Sequence, residues 1–242
     1  MSDQITTLTL FKYPTLRGKI WAFGMMQFAH RQLQGIEGMT FYKLVGSGKG
    51  LGFNPFPDWS VYGLLQVWNS DKAARQFFGS SPLIKNYNKK TSERATLFMR
   101  NISAHGQWSG QTPFKTSTLL DPANPYRAII TRATIKASKL WRFWSYVPTS
   151  QKPIKNAEGL IYTKGIGEIP IKQMATFSVW ESEDDMKKFA YQSKEHQKAI
   201  RMTRELNWYA EELFARFQPY DFMGSWEGKS WDFSTSGKSN KS

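Results

Sequence analysis

The sequence predicts an α+β fold in which two tandem ferredoxin-like repeats pack as an α+β barrel. Two observations indicate it: short motifs recur in the same order in both halves of the 242-residue chain, and both halves show the same succession of strand and helix patterns. Such self-similarity is the signature of a repeated structural unit. Each unit has the order βαββαβ, the split βαβ motif, and leaves an open sheet whose bare face can pack on the other.

Four pairs of motifs carry the repeat. They are KIWAF and KLWRF, LVGSG and YTKGIG (with Gly46 and Gly165), QVWNSDKAARQF and SVWESEDDMKKF (with Trp68 and Trp180), and TLFMR and ELFAR. Their offsets are 120, 119, 112 and 116 residues, a drift that differences in loop length would produce. Trp68 and Trp180 are therefore predicted to occupy equivalent positions.

The elements follow in the same order in each half. TTLTLFKY and YRAIITRATI, rich in Thr, Ile and aromatic residues, predict the first strands. KIWAFGMMQFAHRQL and KLWRFWSYV predict helices, and a strand, a glycine-containing turn and a strand ending in Val-Trp come next. Ser70 and Ser182 stand where the N-cap of a long helix belongs, with acidic residues in the first turn. ERATLFMRNI and WYAEELFARF predict the last strands.

These patterns divide the chain into four parts. Residues 1–109 are predicted to form the N-terminal repeat and residues 125–223 the C-terminal, cofactor-binding repeat. Residues 110–124 form a linker rich in Pro, Ser and Thr. Residues 224–242 are rich in Gly, Ser and Lys and are predicted to be disordered, apart from their two tryptophans.

Composition removes several classes of protein. No run of about 18 apolar residues exists, so no transmembrane helix is predicted. The first residues, MSDQITTLTLFKYPT, lack a basic start followed by an apolar segment, so we expect no secretory signal and, by default, a cytoplasmic location. The chain has no cysteine, which excludes disulfides, thiolate nucleophiles and zinc–thiolate sites.

The formal net charge of +14 predicts attraction to polyanions or to anionic lipid headgroups. Lysine and arginine are scattered along the chain, and no zinc finger, RRM signature or helix-turn-helix is present, so no nucleic-acid partner is predicted. A basic face resting on the inner surface of an anionic membrane is at least as plausible, especially if the substrate is a lipid.

Comparing the halves separates residues that serve the fold from candidates for function. Three positions differ: Ala22 becomes Arg142, Gly24 becomes Trp144, and Ile84 becomes His196. At about 100° per residue, one helix face collects the following side chains within roughly 60°: Phe189, Ser193, His196 and Ile200. The equivalent first-half face carries Phe77, Ser81 and Ile84, an inward-facing set, so His196 is predicted to point at the sheet.

Two interpretations of His196 stay open from the residues alone. One is a core histidine hydrogen-bonded to a backbone carbonyl. The other is an axial ligand, because a neutral imidazole in an apolar cleft suits haem iron. Without cysteine, a second histidine or paired carboxylates nearby, zinc and non-haem iron are poorly supported. His30 and His105 are interpreted as surface or capping residues.

Three further features leave alternatives. Trp144 belongs to the apolar stripe of its helix and is expected to pack as core or as a pocket wall. Arg142 lies roughly opposite that stripe and is either solvated or paired with a cofactor propionate. GSGKGLGF at residues 46–53 misses the third glycine of G-x-G-x-x-G, where Leu51 stands, so it predicts a glycine-rich turn, with gating of the pocket as the alternative.

The chain resembles a known family in LWRFW…VP, FSVW, FAYQSKEHQKAIR, NWYAEELFARF and KLVGSGKGLGF. These stretches are similar to the spheroidene monooxygenases, bacterial haem-containing enzymes that introduce keto groups into carotenoids. The resemblance runs from Lys12 to Phe217 and is most specific from Phe189 onward. More distantly, the histidine-bearing helix resembles the haem-binding units of the dimeric α+β barrel group, such as chlorite dismutases and aldoxime dehydratases.

This resemblance implies haem b as the cofactor and His196 as its proximal ligand. The cofactor-contacting set that we expect around it is Phe189, Ser193, Ile200, Trp144 and Arg142. The leading hypothesis is a haem-dependent monooxygenase acting on a long apolar, carotenoid-like substrate with O₂ or peroxide. Two hydroxylations at one allylic carbon and loss of water would give a ketone, the cofactor supplying the oxidation and the protein a dry aromatic pocket. The alternatives are an aldoxime dehydratase-like lyase, a peroxidase, or a non-enzymatic haem or lipid carrier.

Overall fold

The structure, a computed structural model, describes residues 3–50, 54–150, 154, 157–192 and 206–234. Within them, eight strands close into one antiparallel barrel in the order β1-β3-β2-β6-β7-β5-β8-β4. The strands are β1 (Ile5–Lys12), β2 (Met39–Gly48), β3 (Pro57–Trp68), β4 (Glu93–Gly106), β5 (Arg127–Ile135), β6 (Leu160–Ile169), β7 (Gln173–Trp180) and β8 (Tyr209–Gly224). The helices are α1 (Leu16–Phe28), α2 (His30–Leu33), α3 (Asp71–Ser80), α4 (Pro82–Asn88), α5 (Leu140–Ser150) and α6 (Glu183–Gln192).

The barrel consists of two copies of one unit, as predicted. The first half contributes the strand order β4-β1-β3-β2 and the second half the matching order β8-β5-β7-β6. Trp68 lies opposite Ile5 and Met39, and Trp180 lies opposite the corresponding Arg127 and Leu160. The tandem ferredoxin-like fold and the equivalence of the two tryptophans are therefore confirmed.

The two sheets also join edge to edge, at two seams. The β4–β8 seam is long and runs from Ala95 opposite Gly224 to Gly106 opposite Leu213. The β2–β6 seam is short, with Gly46 paired to Gly167 next to one further pair. Closure pairs the β4 and β8 edges along nearly their whole length but the β2 and β6 edges at two positions only, so it reduces the unpaired edges at which open sheets aggregate.

Strand pairing corrects two of the motif equivalences. Gly46 lies opposite Tyr62, and Gly167 lies opposite Met174. Tyr62 precedes Trp68 by six residues, as Met174 precedes Trp180. Gly46 is therefore equivalent to Gly167, and its match with Gly165 is wrong by two residues. Because side chains alternate along a strand, a slip of two keeps the same face and leaves the polarity pattern intact.

The same slip affects the last strands. Phe98 lies opposite Thr7, and Arg216 lies opposite the equivalent Ile129. Arg216 is therefore the counterpart of Phe98, and its match with Arg100 is wrong by two residues. Arg100 instead stacks on the ring of Tyr220, with the guanidinium carbon 4.1 Å from the ring centroid.

Burial shifts the helix equivalence by one residue. The inward positions of α1 include Ala22, whereas Phe23 is exposed. On α5, Phe143 is buried and Arg142 is exposed. Ala22 therefore corresponds to Phe143, so the match of Ala22 with Arg142 compared an inward position with an outward one. The same shift makes Trp144 the counterpart of Phe23 and not of Gly24.

The long helix predicted for the first half is broken in two. Ser81, between α3 and α4, has an extended backbone with ψ 125° because the following Pro82 disfavours the helical conformation of the residue before it. The N-caps are confirmed: Ser70 Oγ accepts from the N–H of Ala73 at 3.2 Å and Ser182 Oγ from that of Asp185 at 3.1 Å.

A tight turn after each final strand plugs one end of the barrel. GQWSGQ follows β4 and GSWEGK follows β8, and in each the tryptophan, Trp108 or Trp226, is buried. Gly106 (φ 90°) and Gly224 (φ 100°) lie in the left-handed region, and a Cβ on either would collide with a carbonyl oxygen of the neighbouring strand. Only glycine fits there.

The tail prediction is wrong for residues 224–234. These residues repeat the turn that begins the linker. Phe233 is buried at one end of the barrel, as Phe114 is at the other end. Glu93 accepts from the N–H of Gly228 at 2.8 Å, as Glu211 does from that of Gly110 at 2.7 Å. The Gly- and Ser-rich composition of the tail is typical of disorder and gave no indication of these turns. Residues 235–242 lie outside the described part of the chain.

A Trp226→Ala variant is expected to lose about 3–5 kcal/mol of unfolding free energy, the usual cost of removing a buried tryptophan. Chemical denaturation monitored by circular dichroism measures it. Trp141, which is 91% exposed, supplies the matched control, and Trp141→Ala should change stability by less than about 0.5 kcal/mol. Equal stabilities of the two variants would show that the tail contributes nothing to the fold.

Candidate functional site

The outer faces of the two half-sheets differ in how they are covered. In the first half, Thr7, Thr9, Gln66 and Thr96 are fully buried because α1, α3 and α4 pack over the sheet. In the second half, Thr131 (the counterpart of Thr9) and Phe214 (that of Thr96) are exposed, and Ser178 (that of Gln66) is partly exposed, whereas Ile129 (that of Thr7) is buried. The outer face of the second sheet is therefore accessible around Thr131.

Three large side chains of the first half have small counterparts on that face. Strand register makes Phe11 equivalent to Ala133, Leu64 to Thr176, and Leu44 to Gly165. All three first-half residues are buried core. Gly165 and Thr131 both lie directly opposite Thr176, so the lost volume is contiguous. We call the region of Thr131, Ala133, Gly165 and Thr176 the second-half hollow.

Aromatic clusters flank the hollow on two sides. On one side Phe143 of α5 packs on Trp208 with ring centroids 5.6 Å apart, next to Ile135. On the other side Phe189 of α6 stacks on Trp180 at 5.3 Å, next to Ile129. The two isoleucines are six positions apart along β5, about 20 Å of strand. The floor between these two apolar walls carries the small residues of the hollow, of which Ala133 and Gly165 are buried, and Phe214 lies opposite Thr131 at its edge.

The predicted site residues fall into three groups. Trp144 and Phe189 belong to the two walls, and Trp144 Nε1 donates to the carbonyl oxygen of Ile171 at 3.1 Å. Arg142 is exposed on α5, so solvation and pairing with a propionate at the rim both remain open for it. The remaining three lie outside the described residues: Ser193, His196 and Ile200.

The described residues that flank residues 193–205 belong to opposite walls of the hollow. α6, which ends at Gln192, carries Phe189, and Leu206 packs against the cluster of Phe143 and Trp208. Sequence reasoning missed the floor residues, although the Trp68–Trp180 match already places Thr176 at the position of Leu64. That substitution of Thr for Leu was the signal for the hollow.

The other two histidines are consistent with surface positions. His30 Nδ1 lies 3.0 Å from the hydroxyl of Tyr42, and His105 is exposed on β4. Among the described residues, no group of three or more His, Asp or Glu side chains could hold a metal ion.

A buried charged cluster on the inner face of the barrel is a second candidate. The guanidinium of Arg132 pairs with Glu211 and lies 3.5 Å from Glu168 and 5.7 Å from the Trp108 ring. Lys43 Nζ lies 2.8 Å from the other oxygen of Glu168. Burial opposes the ionisation of Glu211, but two backbone N–H groups and Arg132 outweigh it and lower its pKa. Both carboxylates are paired, so the cluster closes the barrel end and offers no free acid or base.

An open groove in the first half does not suit an apolar ligand. Its lining is entirely polar side chains and glycine: Asn88, Thr91, Ser92, Glu93, Arg94, Gly224 and Ser225. The second-half hollow is therefore the candidate site. Small floor side chains between aromatic walls are compatible in chemistry with an apolar macrocycle such as haem b, and the exposed Arg142 and Lys172 would suit its carboxylates.

This fold defines an α+β barrel protein made of two ferredoxin-like repeats, one of which carries the candidate site on its outer face. Among solved structures, two aldoxime dehydratases share the fold, each with a TM-score of 0.59 over 90% of this chain. One is 11% identical and covered over 82% of its length; the other, in complex with butyraldoxime, is 10% identical and covered over 80%. At this identity the likeness concerns the fold alone. No family model matches the chain.

Curated relatives identify the family. The chain is 35% identical to spheroidene monooxygenase of Cereibacter sphaeroides over 229 residues, 93% of this chain and 70% of the relative. It is 35% identical to that of Rhodobacter capsulatus over 226 residues, 93% and 94% of the two chains. It is also 32% identical to that of Rubrivivax gelatinosus, over 94% and 86%. The chain belongs to the spheroidene monooxygenase family and is an oxygenase. No helix among the described residues is long and apolar enough to cross a membrane.

Proposed function

We propose that this protein is a haem b-dependent monooxygenase that oxidises a long apolar, carotenoid-like substrate, with His196 as the proximal ligand. The observation that carries the proposal is the second-half hollow. Its floor residues Ala133, Gly165 and Thr176 replace the core residues Phe11, Leu44 and Leu64 of a half that is otherwise built alike. A fold that only needed stability would gain by filling both halves.

Each part of the site has a role in this proposal. The floor of the hollow would hold the macrocycle, and Trp144 and Phe189 would exclude water from the site. Arg142 at the rim would pair with a propionate. The haem, when bound, supplies the activation of O₂ or peroxide. What the chain contributes is orientation: a long polyene held against aromatic walls presents one allylic carbon at a time to the oxidant.

The overall chemistry is an oxygen insertion. Each hydroxylation replaces a C–H bond by C–OH; with O₂ as oxidant, the second oxygen atom leaves as water and a donor supplies two electrons and two protons. A second hydroxylation at the same carbon and loss of water yields the ketone. Because such substrates dissolve in lipid, the proposal includes peripheral association with the inner face of an anionic membrane, for which the net charge of +14 is the support.

Absorption spectroscopy and product analysis test the proposal together. Protein expressed with adequate haem supply should show a Soret band corresponding to about one haem per chain, and it should convert spheroidene to hydroxylated and keto products that carry label from ¹⁸O₂ or H₂¹⁸O₂. Bound haem without oxygen insertion would indicate a haem carrier. Consumption of an aldoxime would indicate a lyase, and oxidation of generic reductants alone would indicate a peroxidase. Absence of a Soret band would overturn the cofactor assignment.

A further inference from the structure

Each half of the barrel exposes a cluster of large apolar side chains. In the first half, Ile20 and Phe23 on α1 and Trp59 on β3 are about half or more exposed, with the rings of Phe23 and Trp59 5.4 Å apart. In the second half, Trp141 on α5 and Ile171 in the β6–β7 turn are exposed. Exposed apolar patches of this kind mark binding surfaces more often than chance.

The two clusters are counterparts of each other. The helix equivalence places Ile20 at Trp141 and Phe23 at Trp144, and the Trp68–Trp180 equivalence places Trp59 at Ile171. The contact between Phe23 and Trp59 thus corresponds to the hydrogen bond of Trp144 to Ile171. The exposed contact is thus retained in both repeats, although their sequences have otherwise diverged.

Pseudo-symmetry places both clusters on one side of the molecule. The twofold axis that relates the halves passes between Gly46 and Gly167, which are equivalent residues paired with each other. The β2–β3 and β6–β7 hairpins meet at this seam. Rotation about a twofold axis preserves height along it and reverses only lateral directions, so equivalent clusters beside the seam lie at the same height on the seam side of the molecule. We call this two-lobed surface the seam face.

Basic side chains surround the seam face. They are Arg17 and Lys19 on α1, Lys49 after β2, Arg142 on α5 and Lys172 in the β6–β7 turn, and none of them forms an ion pair with a described acidic residue. The acidic residues nearby are already neutralised: Asp58 pairs with Lys164 at 2.9 Å and Glu168 with Lys43 at 2.8 Å. The apolar lobes therefore carry an uncompensated positive rim.

We propose that the seam face docks the protein on an anionic lipid surface. Apolar and aromatic side chains between lysines and arginines are what interfacial binding requires. A second copy of the chain fits less well, because a twofold dimer sets the same patch against itself and would bring the two positive rims together. Docking turns the Trp144 wall of the hollow toward the bilayer, so the substrate passes from lipid to site without crossing water. This step rests on the proposed function.

Vesicle co-sedimentation of the full chain tests the docking. Wild-type protein should bind phosphatidylglycerol-containing vesicles at least tenfold more tightly than phosphatidylcholine vesicles, and the difference should shrink as salt screens the charges. A Trp59→Ser/Trp141→Ser variant should lose at least tenfold in binding, and Lys49→Glu/Lys172→Glu about fivefold or more per residue. The controls are Leu119→Ser and Lys115→Glu, exposed in the linker, which lies against the opposite β4–β8 seam.

Further readouts separate the possible outcomes. Melting temperatures of all variants should stay near wild type, because the altered side chains are exposed. The tryptophan variant should oxidise substrate in detergent micelles normally but fail with substrate in vesicles. If the wild-type protein bound anionic vesicles but oxidised substrate neither in micelles nor in vesicles, the proposed function would be rejected and the docking would stand. Equal binding to neutral and anionic vesicles, wild-type binding by the tryptophan variant, or a dimer that this variant dissociates would overturn the docking.

Discussion

A Gly165→Leu/Thr176→Leu variant is expected to lose most of its bound cofactor while keeping its fold. The two substitutions rebuild the pair Leu44–Leu64, whose members lie directly opposite each other in the first half and are buried there. Because the same sheet geometry accepts this pair, the leucines should fill the second-half hollow without straining the strands. Haem per chain, measured from the Soret band, should fall more than about tenfold, equivalent to about 1.4 kcal/mol or more of binding free energy.

Two measurements make this result specific. The melting temperature of the haem-free variant should equal or exceed that of haem-free wild type, because filling a hollow adds buried apolar contacts. The matched control is Leu64→Thr in the first half. It should lose about 2–4 kcal/mol of stability through a cavity and a buried hydroxyl, yet the folded fraction should keep its haem. Full haem content in the double leucine variant would place the cofactor elsewhere.

The repeat could be predicted from the sequence because its anchors are rare residues in fixed order. A tryptophan closes the third strand of each half, and a serine N-cap follows two residues later, so the Trp68–Trp180 match left no freedom in register. Motifs within strands carried less information. A glycine or arginine shifted by two stays on the same face of its strand, and only the hydrogen-bonded partners reveal that Gly46 corresponds to Gly167.

Part of the candidate site was also within reach of the sequence. Once Trp68 and Trp180 are matched, Leu64 falls on Thr176, a buried apolar position that becomes polar and small. Ala133 and Gly165 were not accessible in this way, because their strands pair with β7 across loops of unequal length, so their equivalence needs the strand register. The Ser81-Pro82 dipeptide indicates a break in the helix at Ser81. The helical periodicity of the surrounding residues nevertheless predicted one continuous helix.

Composition misled at the tail for a physical reason. Glycine, serine and lysine usually mark chain segments that bury too little apolar surface to fold. Here the glycines are required by left-handed turns, and two aromatic residues, Trp226 and Phe233, provide the buried surface. The composition of the tail suggests disorder, whereas its similarity to the first part of the linker predicts the ordered turn correctly.

A His196→Ala variant is expected to lose haem or to bind it weakly while the fold survives. If the proposed function is right, the substitution removes the iron–protein bond and leaves a small, helix-favouring residue. The first half carries Ile84 at the matching position, where it is 1% exposed, so the fold does not require a histidine there. External imidazole should restore part of the Soret band by occupying the vacated position. His30→Ala and His105→Ala are the matched controls and should keep their haem.

The core-histidine interpretation predicts the opposite pattern for the same variant. Loss of a buried hydrogen bond would lower the unfolding free energy by about 1–3 kcal/mol, with the haem content and spectrum unchanged and no response to imidazole. Soret absorbance and melting temperature of one protein sample therefore separate the two interpretations. Combining His196→Ala with Gly165→Leu/Thr176→Leu sharpens the test: because both changes act on one bound group, the triple variant should lose scarcely more haem than either parent, whereas independent sites would give multiplicative losses.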